Sequence, residues 1–175
     1  MKIAIVSDSH DNRRALVAAL EDAKSRGAEG VIHCGDVVAP STLGACEHIG
    51  LPMHVIHGNN TGDLVTLSRR SHRPGAFYNY YGQDAGIELG GRKVFIVHYP
   101  HYGLGMAATG DWDLVCYGHD HKARIEAVPN VKGGSTQIVD PGSCAGLDGP
   151  ATYVLGDLAT MRFELLPVPG IESQQ

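Results

Sequence analysis

The sequence predicts an α/β fold in a single domain. In the first half of the chain, short apolar runs typical of strands alternate with segments whose apolar residues recur at helical spacing. In the second half, successive strand-like runs are separated by glycine and proline turns. A chain of 175 residues, with 43% hydrophobic and 19% charged residues, is typical of one globular domain that buries most of its surface.

The first half is predicted to hold three buried strands joined by two helices. The apolar run at residues 3–6 predicts the first strand. Residues 13–26 carry apolar side chains at helical spacing, with a cap at Asp11 or Asn12 and a stop at Gly27. The remaining elements are a strand that begins at residue 31, a weaker helix over 41–48 and a strand over 53–56. This β-α-β-α-β order predicts a parallel sheet, and ligands bind beyond the carboxyl ends of such strands.

The second half is richer in strands. Residues 87–89 and 94–97 flank Gly90-Gly91, which predicts a hairpin. Further strands are predicted over residues 114–117, 123–128, 136–139, 152–155 and 161–165. We therefore predict one domain over residues 1–166 and a flexible C-terminal tail over residues 167–175.

Composition and charge exclude several classes of protein. The formal net charge of −5 argues against broad electrostatic binding to nucleic acid or to an anionic membrane. No run approaches the ~20 apolar residues of a membrane span, and the run at residues 3–6 is too short for a signal peptide. The four cysteines form no C-x-x-C pair, so we expect reduced thiols and a cytoplasmic location.

Residue types that bind metals follow five of the strand-like runs. They are Asp8 and His10, then Asp36, then Asn59, then His98, and finally His119 and His121. Each is a weak signal alone, because aspartates cap helices and mark turns and paired histidines are commonly exposed. Together, carboxylate, amide and imidazole groups from several strand ends predict a site for two divalent metals, the arrangement that promotes phosphoryl displacement.

In order and spacing, these motifs resemble the signature of the calcineurin-like metallophosphoesterase superfamily, from residue 1 to about residue 160. The matching segments are Asp8-x-His10, Gly35-Asp36, Gly58-Asn59, His98 and Gly118-His119-x-His121. The short length and Pro141-Gly142-Ser143 resemble the small single-domain bacterial and archaeal phosphodiesterase branch. The resemblance implies a four-layer α-β-β-α sandwich of two mixed sheets flanked by helices.

The same resemblance implies roles for individual residues. The first metal would be bound by Asp8, His10 and His121. The second metal would be bound by Asn59, His98 and His119. Asp36 would bridge the two ions together with a hydroxide that attacks phosphorus. The residues expected at the reacting group are Asp36, Asn59, Asn60 and His98.

The charge of such a site favours an anionic substrate. Two divalent ions, two aspartates and one hydroxide leave one net positive charge, which matches the single negative charge of a phosphodiester. We therefore predict a metal-dependent hydrolase that cleaves a small phosphodiester. The expected cofactors are two divalent ions, with manganese favoured and iron, zinc, nickel or cobalt as alternatives. Phosphomonoester hydrolysis is the alternative reaction, and a homo-oligomer is left open.

The chain departs from the family pattern at Asn60. The family usually has a histidine there, or a cysteine in some small members, and the histidine is proposed to protonate the leaving group. An asparagine side chain can donate a hydrogen bond but cannot act as a general acid. Three explanations compete: a substrate with a good leaving group, a proton supplied by His57 or His101, or weak hydrolysis in a protein that mainly binds.

The residues around the predicted pocket leave further alternatives open. His98-Tyr99-Pro100-His101 replaces the usual His-Gly-His of the family. Tyr99 and Tyr102 are candidates for the pocket wall or for simple packing. The aromatic segment 77–81 would cover the core edge, form a dimer contact or stack a nucleobase.

A function of another class also has to be weighed. The retromer subunit that shares this fold acts as a protein-binding scaffold, so a metal-binding scaffold with weak catalysis is the main alternative. A nuclease is disfavoured because the chain is acidic and has no basic stripe.

Overall fold

The computed structural model describes residues 1–173, which form a four-layer sandwich of two packed sheets flanked by helices. The strands are β1 Lys2–Val6, β2 Gly30–His33, β3 Met53–Val55, β4 Tyr78–Tyr80, β5 Asp84–Leu89, β6 Arg92–Val97, β7 Leu114–Cys116, β8 Arg124–Pro129, β9 Ser135–Asp140, β10 Thr152–Asp157 and β11 Arg162–Pro167. The helices are α1 Arg13–Ser25, α2 Pro40–Gly44, α3 Leu64–Ser71 and α4 Pro100–Thr109. This architecture confirms the predicted α/β fold.

Both sheets mix parallel and antiparallel strands. The six-stranded sheet has the order β11-β10-β1-β2-β3-β4, in which β1 to β4 are parallel and β10 is antiparallel to both of its neighbours, β1 and β11. The five-stranded sheet has the order β5-β6-β7-β9-β8, with β6, β7 and β9 parallel between two antiparallel edge strands. The carboxyl ends of both parallel sets therefore supply the loops where a ligand is expected.

Alternating side chains of the central strands build separate cores on their two faces. Ile3 and Ile5 of β1 pack between the sheets, while Ala4 and Val6 pack against the helices that cover the first sheet. A third core lies between α4 and the second sheet. Because β1 is buried on both faces, it has the continuous apolar run that the sequence displays.

Helix α4 and the segment over residues 41–48 differ from the sequence-based prediction. Helix α4 is absent from that prediction because Gly103 and Gly105 lower helical propensity. It forms through packing on the second sheet, where a Cβ at Gly103 would lie 3.0 Å from Tyr117 Cδ1. The helix predicted over residues 41–48 is broken into α2 and a short 3-10 helix, Glu47–Ile49.

The aromatic segment 77–81 contributes β4, the edge strand of the first sheet. Tyr78 is buried, and its hydroxyl donates to the Leu67 carbonyl at 2.9 Å. Within this segment, Tyr78 therefore covers the core edge, as one of the alternatives proposed.

The chain beyond β11 stays in contact with the domain for several residues. Val168 is buried in the first core, and the Arg14 guanidinium donates to the Gly170 carbonyl at 3.1 Å. Residues 174 and 175 of the predicted tail lie outside the described residues, and the flexible tail stays a prediction. Within residues 1–173, no helix is both long and apolar enough to cross a membrane.

Candidate metal centre

The predicted donors meet at one edge of the sandwich, where parallel strands of both sheets end. The loops after β1, β2, β3, β6 and β7 carry, in chain order, Asp8 and His10, Asp36, Asn59, His98, and His119 and His121. The contacts described below connect all seven side chains in one cluster. Their assignment to particular ions stays a prediction at this stage.

One group of donors surrounds Asp8. Its Oδ1 lies 3.6 Å from His10 Nε2 and 3.5 Å from His121 Nε2. His10 Nε2 is also 3.6 Å from Asp36 Oδ2. Donors that each lie ~2.1 Å from one ion are roughly 3–3.5 Å from one another. The spacing of this group therefore suits a single divalent cation.

A second group lies on the other side of Asp36. His98 Nε2 is 3.5 Å from Asp36 Oδ1 and 3.0 Å from Asn59 Oδ1. His119 Nδ1 approaches the same Asn59 oxygen at 2.9 Å. The two oxygens of Asp36 therefore face different donor groups, the geometry expected of a carboxylate shared between two cations.

The unsatisfied polar atoms of the site fit bound cations. Among the described residues, Asp8 Oδ1 and His10 Nε2 are buried without a hydrogen-bond partner, although buried polar atoms normally have one. Burial favours a raised pKa for Asp8, but contacts with His10 and His121 outweigh it and hold the pKa well below its usual range. The contact with Asp8 in turn raises the pKa of His121 to about 9, with a further contribution from Asp148.

The backbone at the site is held in an unusual conformation. Positive φ angles occur at five of the seven donors: Asp8 (53°), His10 (41°), Asp36 (54°), His119 (84°) and His121 (58°). A left-handed conformation costs a residue other than glycine about 1–2 kcal/mol. Such strain concentrates at functional sites, where the surrounding fold enforces it. Here, tight turns directly after the strands aim the donors at one another.

Two glycines let the loops approach the carboxylates closely. A Cβ at Gly58 would lie 2.2 Å from Asp36 Oδ1 and 2.6 Å from His98 Nε2. A Cβ at Gly118 would lie 2.0 Å from Ser7 Oγ and 2.6 Å from Asp8 Oδ2. Any side chain at either position would occupy the space of a donor, which explains the Gly-Asn and Gly-His pairs of the motifs.

Buried groups beneath the donors tie the loops together. The His33 ring lies 3.0 Å from Ser9 Oγ through Nε2 and accepts from the Gly35 backbone N–H at 3.3 Å through Nδ1. Because Nδ1 accepts, the neutral ring carries its proton on Nε2. Burial lowers the pKa of His33 to about 4. His98 Nδ1 is fixed in a similar way, since it donates to the Cys34 carbonyl at 2.8 Å.

Asn60 is turned towards Asp36. Its backbone N–H donates to Asp36 Oδ1 at 2.8 Å, and its side-chain Nδ2 donates to Asp36 Oδ2 at 2.6 Å. These hydrogen bonds help to lower the pKa of Asp36 against the opposing effect of burial. Asn60 therefore orients the Asp36 carboxylate.

The aromatic candidates divide between the site and the core. The Tyr99 ring packs 5.4 Å from His98 and 5.1 Å from His119, and it also lies 5.8 Å from His101. Tyr102 instead packs on Phe95 and belongs to the core beneath α4. Tyr99 is therefore the one of the two tyrosines that lines the site.

Several other polar groups near this edge have partners away from the donors. His57 Nδ1 lies 2.6 Å from the Tyr80 hydroxyl. Arg13 donates to Ser41 Oγ at 2.7 Å, and Arg14 donates to a carbonyl near the C-terminus. Asp63 accepts from the Thr66 backbone N–H at 2.9 Å and so caps α3.

Sequence reasoning missed one side chain of the site. Asp148 Oδ2 lies 2.8 Å from His121 Nδ1. It belongs to the loop between β9 and β10, 27 residues after His121, and only its place in a Gly-rich turn marks it in the sequence. Contacts across such a separation carry no local signature.

Comparison with known proteins places the chain in a family. Residues 1–161 match the family model of the calcineurin-like phosphoesterase superfamily domain. A phosphodiesterase of Methanocaldococcus jannaschii is 32% identical over 148 residues, which cover 83% of this chain and 86% of that protein.

Solved structures show the same fold. A novel archaeal phosphodiesterase superposes with a TM-score of 0.83 at 27% identity, covering 95% of this chain and 99% of that one. Vacuolar protein sorting 29 from Cryptosporidium parvum shares the fold alone, with a TM-score of 0.61 at 16% identity and coverage of 94% and 95%. On the strength of the family match, which spans nearly all of the domain, the chain belongs to the calcineurin-like phosphoesterase superfamily.

Proposed function

We propose that this protein is a metal-dependent phosphodiesterase whose site holds two divalent ions. Asp8, His10 and His121 would hold the first ion. Asn59, His98 and His119 would hold the second. Asp36 would be shared between them. The observation that carries the proposal is the position of Asp36, whose two oxygens face separate donor groups, Oδ2 towards His10 and Oδ1 towards His98.

The groups of the site would have different roles in hydrolysis. Bound divalent ions would supply the Lewis acidity that makes water a nucleophile at neutral pH and the charge that stabilises phosphoryl oxygens. Asn60 holds the Asp36 carboxylate at both oxygens, which keeps the site preorganised. Burial raises the pKa of the Cys34 thiol well above its ordinary value, so this nearby cysteine is not a thiolate nucleophile. These features support direct attack by water.

A diester is favoured over a monoester as substrate. The curated relative at 32% identity and the solved structure at 27% identity are both described as a phosphodiesterase. The single net positive charge proposed for the loaded site also matches one substrate charge better than two. The wall beside His98 and His119 is the uncharged ring of Tyr99, which adds no further positive charge there.

The identity of the ions and the location of the protein are further parts of the proposal. Mixed oxygen and imidazole donors suit manganese, which we favour, and also iron, zinc, nickel or cobalt. All four cysteines are free and buried, which supports a reduced, cytoplasmic setting. A homo-oligomer would be compatible with this function.

Hydrolysis of an activated aryl phosphodiester, measured beside the matching monoester, tests the proposed function. We expect cleavage with manganese, its loss with a chelator, a preference for the diester, and its loss in Asp36→Asn. Elemental analysis should find about two equivalents of metal in protein purified without chelators. If a folded protein turns over neither ester with any divalent metal, the proposed enzymatic function is refuted and the role of a metal-binding scaffold is favoured.

The role of the leaving group is tested by a second variant. Asn60→His restores the residue type that the family uses for protonation. With an activated aryl leaving group, which needs no proton, we expect no gain in rate. With an alkyl leaving group we expect an increase of at least 10-fold, since general acid catalysis commonly contributes ~10²–10⁴-fold. No gain with the alkyl ester would mean that protonation from this position does not limit the reaction.

A further inference from the structure

The two ring nitrogens of His121 face different carboxylates. Nε2 points into the candidate metal centre, 3.5 Å from Asp8 Oδ1. Nδ1 points away from it and lies 2.8 Å from Asp148 Oδ2. A ring that donates Nδ1–H to a carboxylate presents the lone pair of Nε2, which is the form of imidazole that binds a metal. Asp148 therefore selects the tautomer that the first site needs.

The other rings of the cluster are held by different means. In His98, the outer ring nitrogen, which faces away from the cluster, is Nδ1, and it donates to the backbone carbonyl of Cys34. His119 Nδ1 is turned towards Asn59 inside the cluster. Among residues 1–173, no side-chain carboxylate contacts the outer nitrogen of His10, whose Nε2 faces Asp8 and Asp36. The orientation of His121 thus depends on one side chain from a distant loop.

The loop that carries Asp148 is anchored to the same strand end that supplies Asp8. The backbone N–H of Cys144 donates to the Ser7 carbonyl at 2.9 Å, and that of Ala145 donates to the Asp8 carbonyl at 3.2 Å. The Leu147 N–H donates to Ser143 Oγ at 3.1 Å. Although the Asp148 side chain is 83% exposed, its backbone follows directly from this anchored segment. The anchored backbone of this loop therefore places the Asp148 carboxylate beside His121, in addition to any ion pairing between them.

We propose that Asp148 is a positioning residue that orients His121 and thereby sets the affinity of the first metal site. The inference rests on the proposed function, because it assumes that His121 binds a divalent ion. Removing an outer partner of a metal-binding histidine typically lowers metal affinity by about 10–100-fold. We expect a loss of this size at the first site and no change at the second.

The test is a titration of metal-free protein with Mn²⁺, read by calorimetry and by competition with a fluorescent chelator. Asp148→Gly removes the carboxylate without backbone strain, because φ of Asp148 is +58°, which glycine adopts freely. Asp148→Asn keeps an oxygen acceptor and tolerates the same φ. Asp120→Asn is the matched control, because it removes an equal charge adjacent to His121 and keeps a side-chain oxygen that can accept from the Lys122 N–H.

The expected result is a 10–100-fold weaker first site in Asp148→Gly, substantial recovery in Asp148→Asn, and binding within twofold of wild type in Asp120→Asn. Unchanged first-site affinity in Asp148→Gly would overturn the inference while two bound ions in the wild type still support the proposed function. An equal loss in Asp120→Asn would also overturn it, because charge alone would then explain the effect. A wild-type protein that binds no Mn²⁺ would instead refute the proposed function.

Discussion

Replacing Gly58 by alanine adds a single methyl group to a crowded position of the candidate metal centre. The new Cβ would lie 2.2 Å from Asp36 Oδ1 and 2.6 Å from His98 Nε2. To restore a contact of 3.0 Å, the Asp36 oxygen has to move by about 0.8 Å or the Asn59 loop has to retreat by as much. A displacement of about 1 Å at a reacting centre commonly costs ~10²-fold in rate. We therefore expect Gly58→Ala to lower kcat/KM for an activated aryl diester by about 100-fold.

The control for this variant is Gly105→Ala, in helix α4. Nothing lies within 4 Å of a Cβ built at Gly105, so the methyl group meets no neighbour. Alanine in a helix interior is more stable than glycine by roughly 0.5–1 kcal/mol, and we expect wild-type activity with a slightly raised Tm. Metal content and kcat/KM should be measured for both variants in parallel. A Gly58→Ala protein that binds two ions and keeps kcat/KM within threefold of wild type would refute the steric argument.

Three further outcomes follow from the same contacts. Burial lowers the pKa of His33 from 6.5 to about 4 in the folded state, so the unfolded chain binds more protons between these pH values. This contribution to stability is complete above about pH 6.5 and is lost as the pH falls towards 4, by about 3 kcal/mol. Urea unfolding of metal-free protein at pH 7 and pH 4.5 should show the loss, and His33→Gln should reduce it; an equal loss in both proteins would contradict this origin. Asn60→Ala removes a hydrogen bond to Asp36 and should weaken Mn²⁺ binding, measured by calorimetry, by about 10-fold. An unchanged affinity for Mn²⁺ would show that Asn60 does not orient Asp36 for metal binding. At metal concentrations 1,000-fold above Kd, binding adds about 4 kcal/mol per site, or about 8 kcal/mol for the two sites together. EDTA should therefore lower Tm by about 20 °C in a thermal melt, and an unchanged Tm would exclude tight binding.

The strain at the site connects these predictions. Five donors have left-handed backbone conformations, and the β-branched Val38 has φ of +69° nearby. The surrounding fold has to supply the free energy that holds these residues in place. Bound ions would offset part of this free-energy cost, because they bind the donors of the folded protein and not the dispersed donors of the unfolded chain.

Helix α4 and Asp148 show where prediction from the sequence fails. Helix α4 forms from a glycine-containing segment because tertiary packing on Tyr117 overrides its weak propensity. Asp148 meets His121 because the loop after β9 is anchored on the end of β1. Neither contact is encoded in the residues adjacent to it along the chain.

The amino-acid sequence by itself determined the α/β class, most of the strands, the residue types of the donors and their position after buried strands. Those properties are local, because hydrophobic periodicity and turn residues act over a few positions. Only the tertiary structure decided which oxygen of Asp36 faces His10 and which faces His98, that Asn60 orients this carboxylate, and that Asp148 holds His121. These contacts join residues that are far apart along the chain. They depend on how the two sheets pack and on where distant loops cross, so no local pattern of residues predicts them.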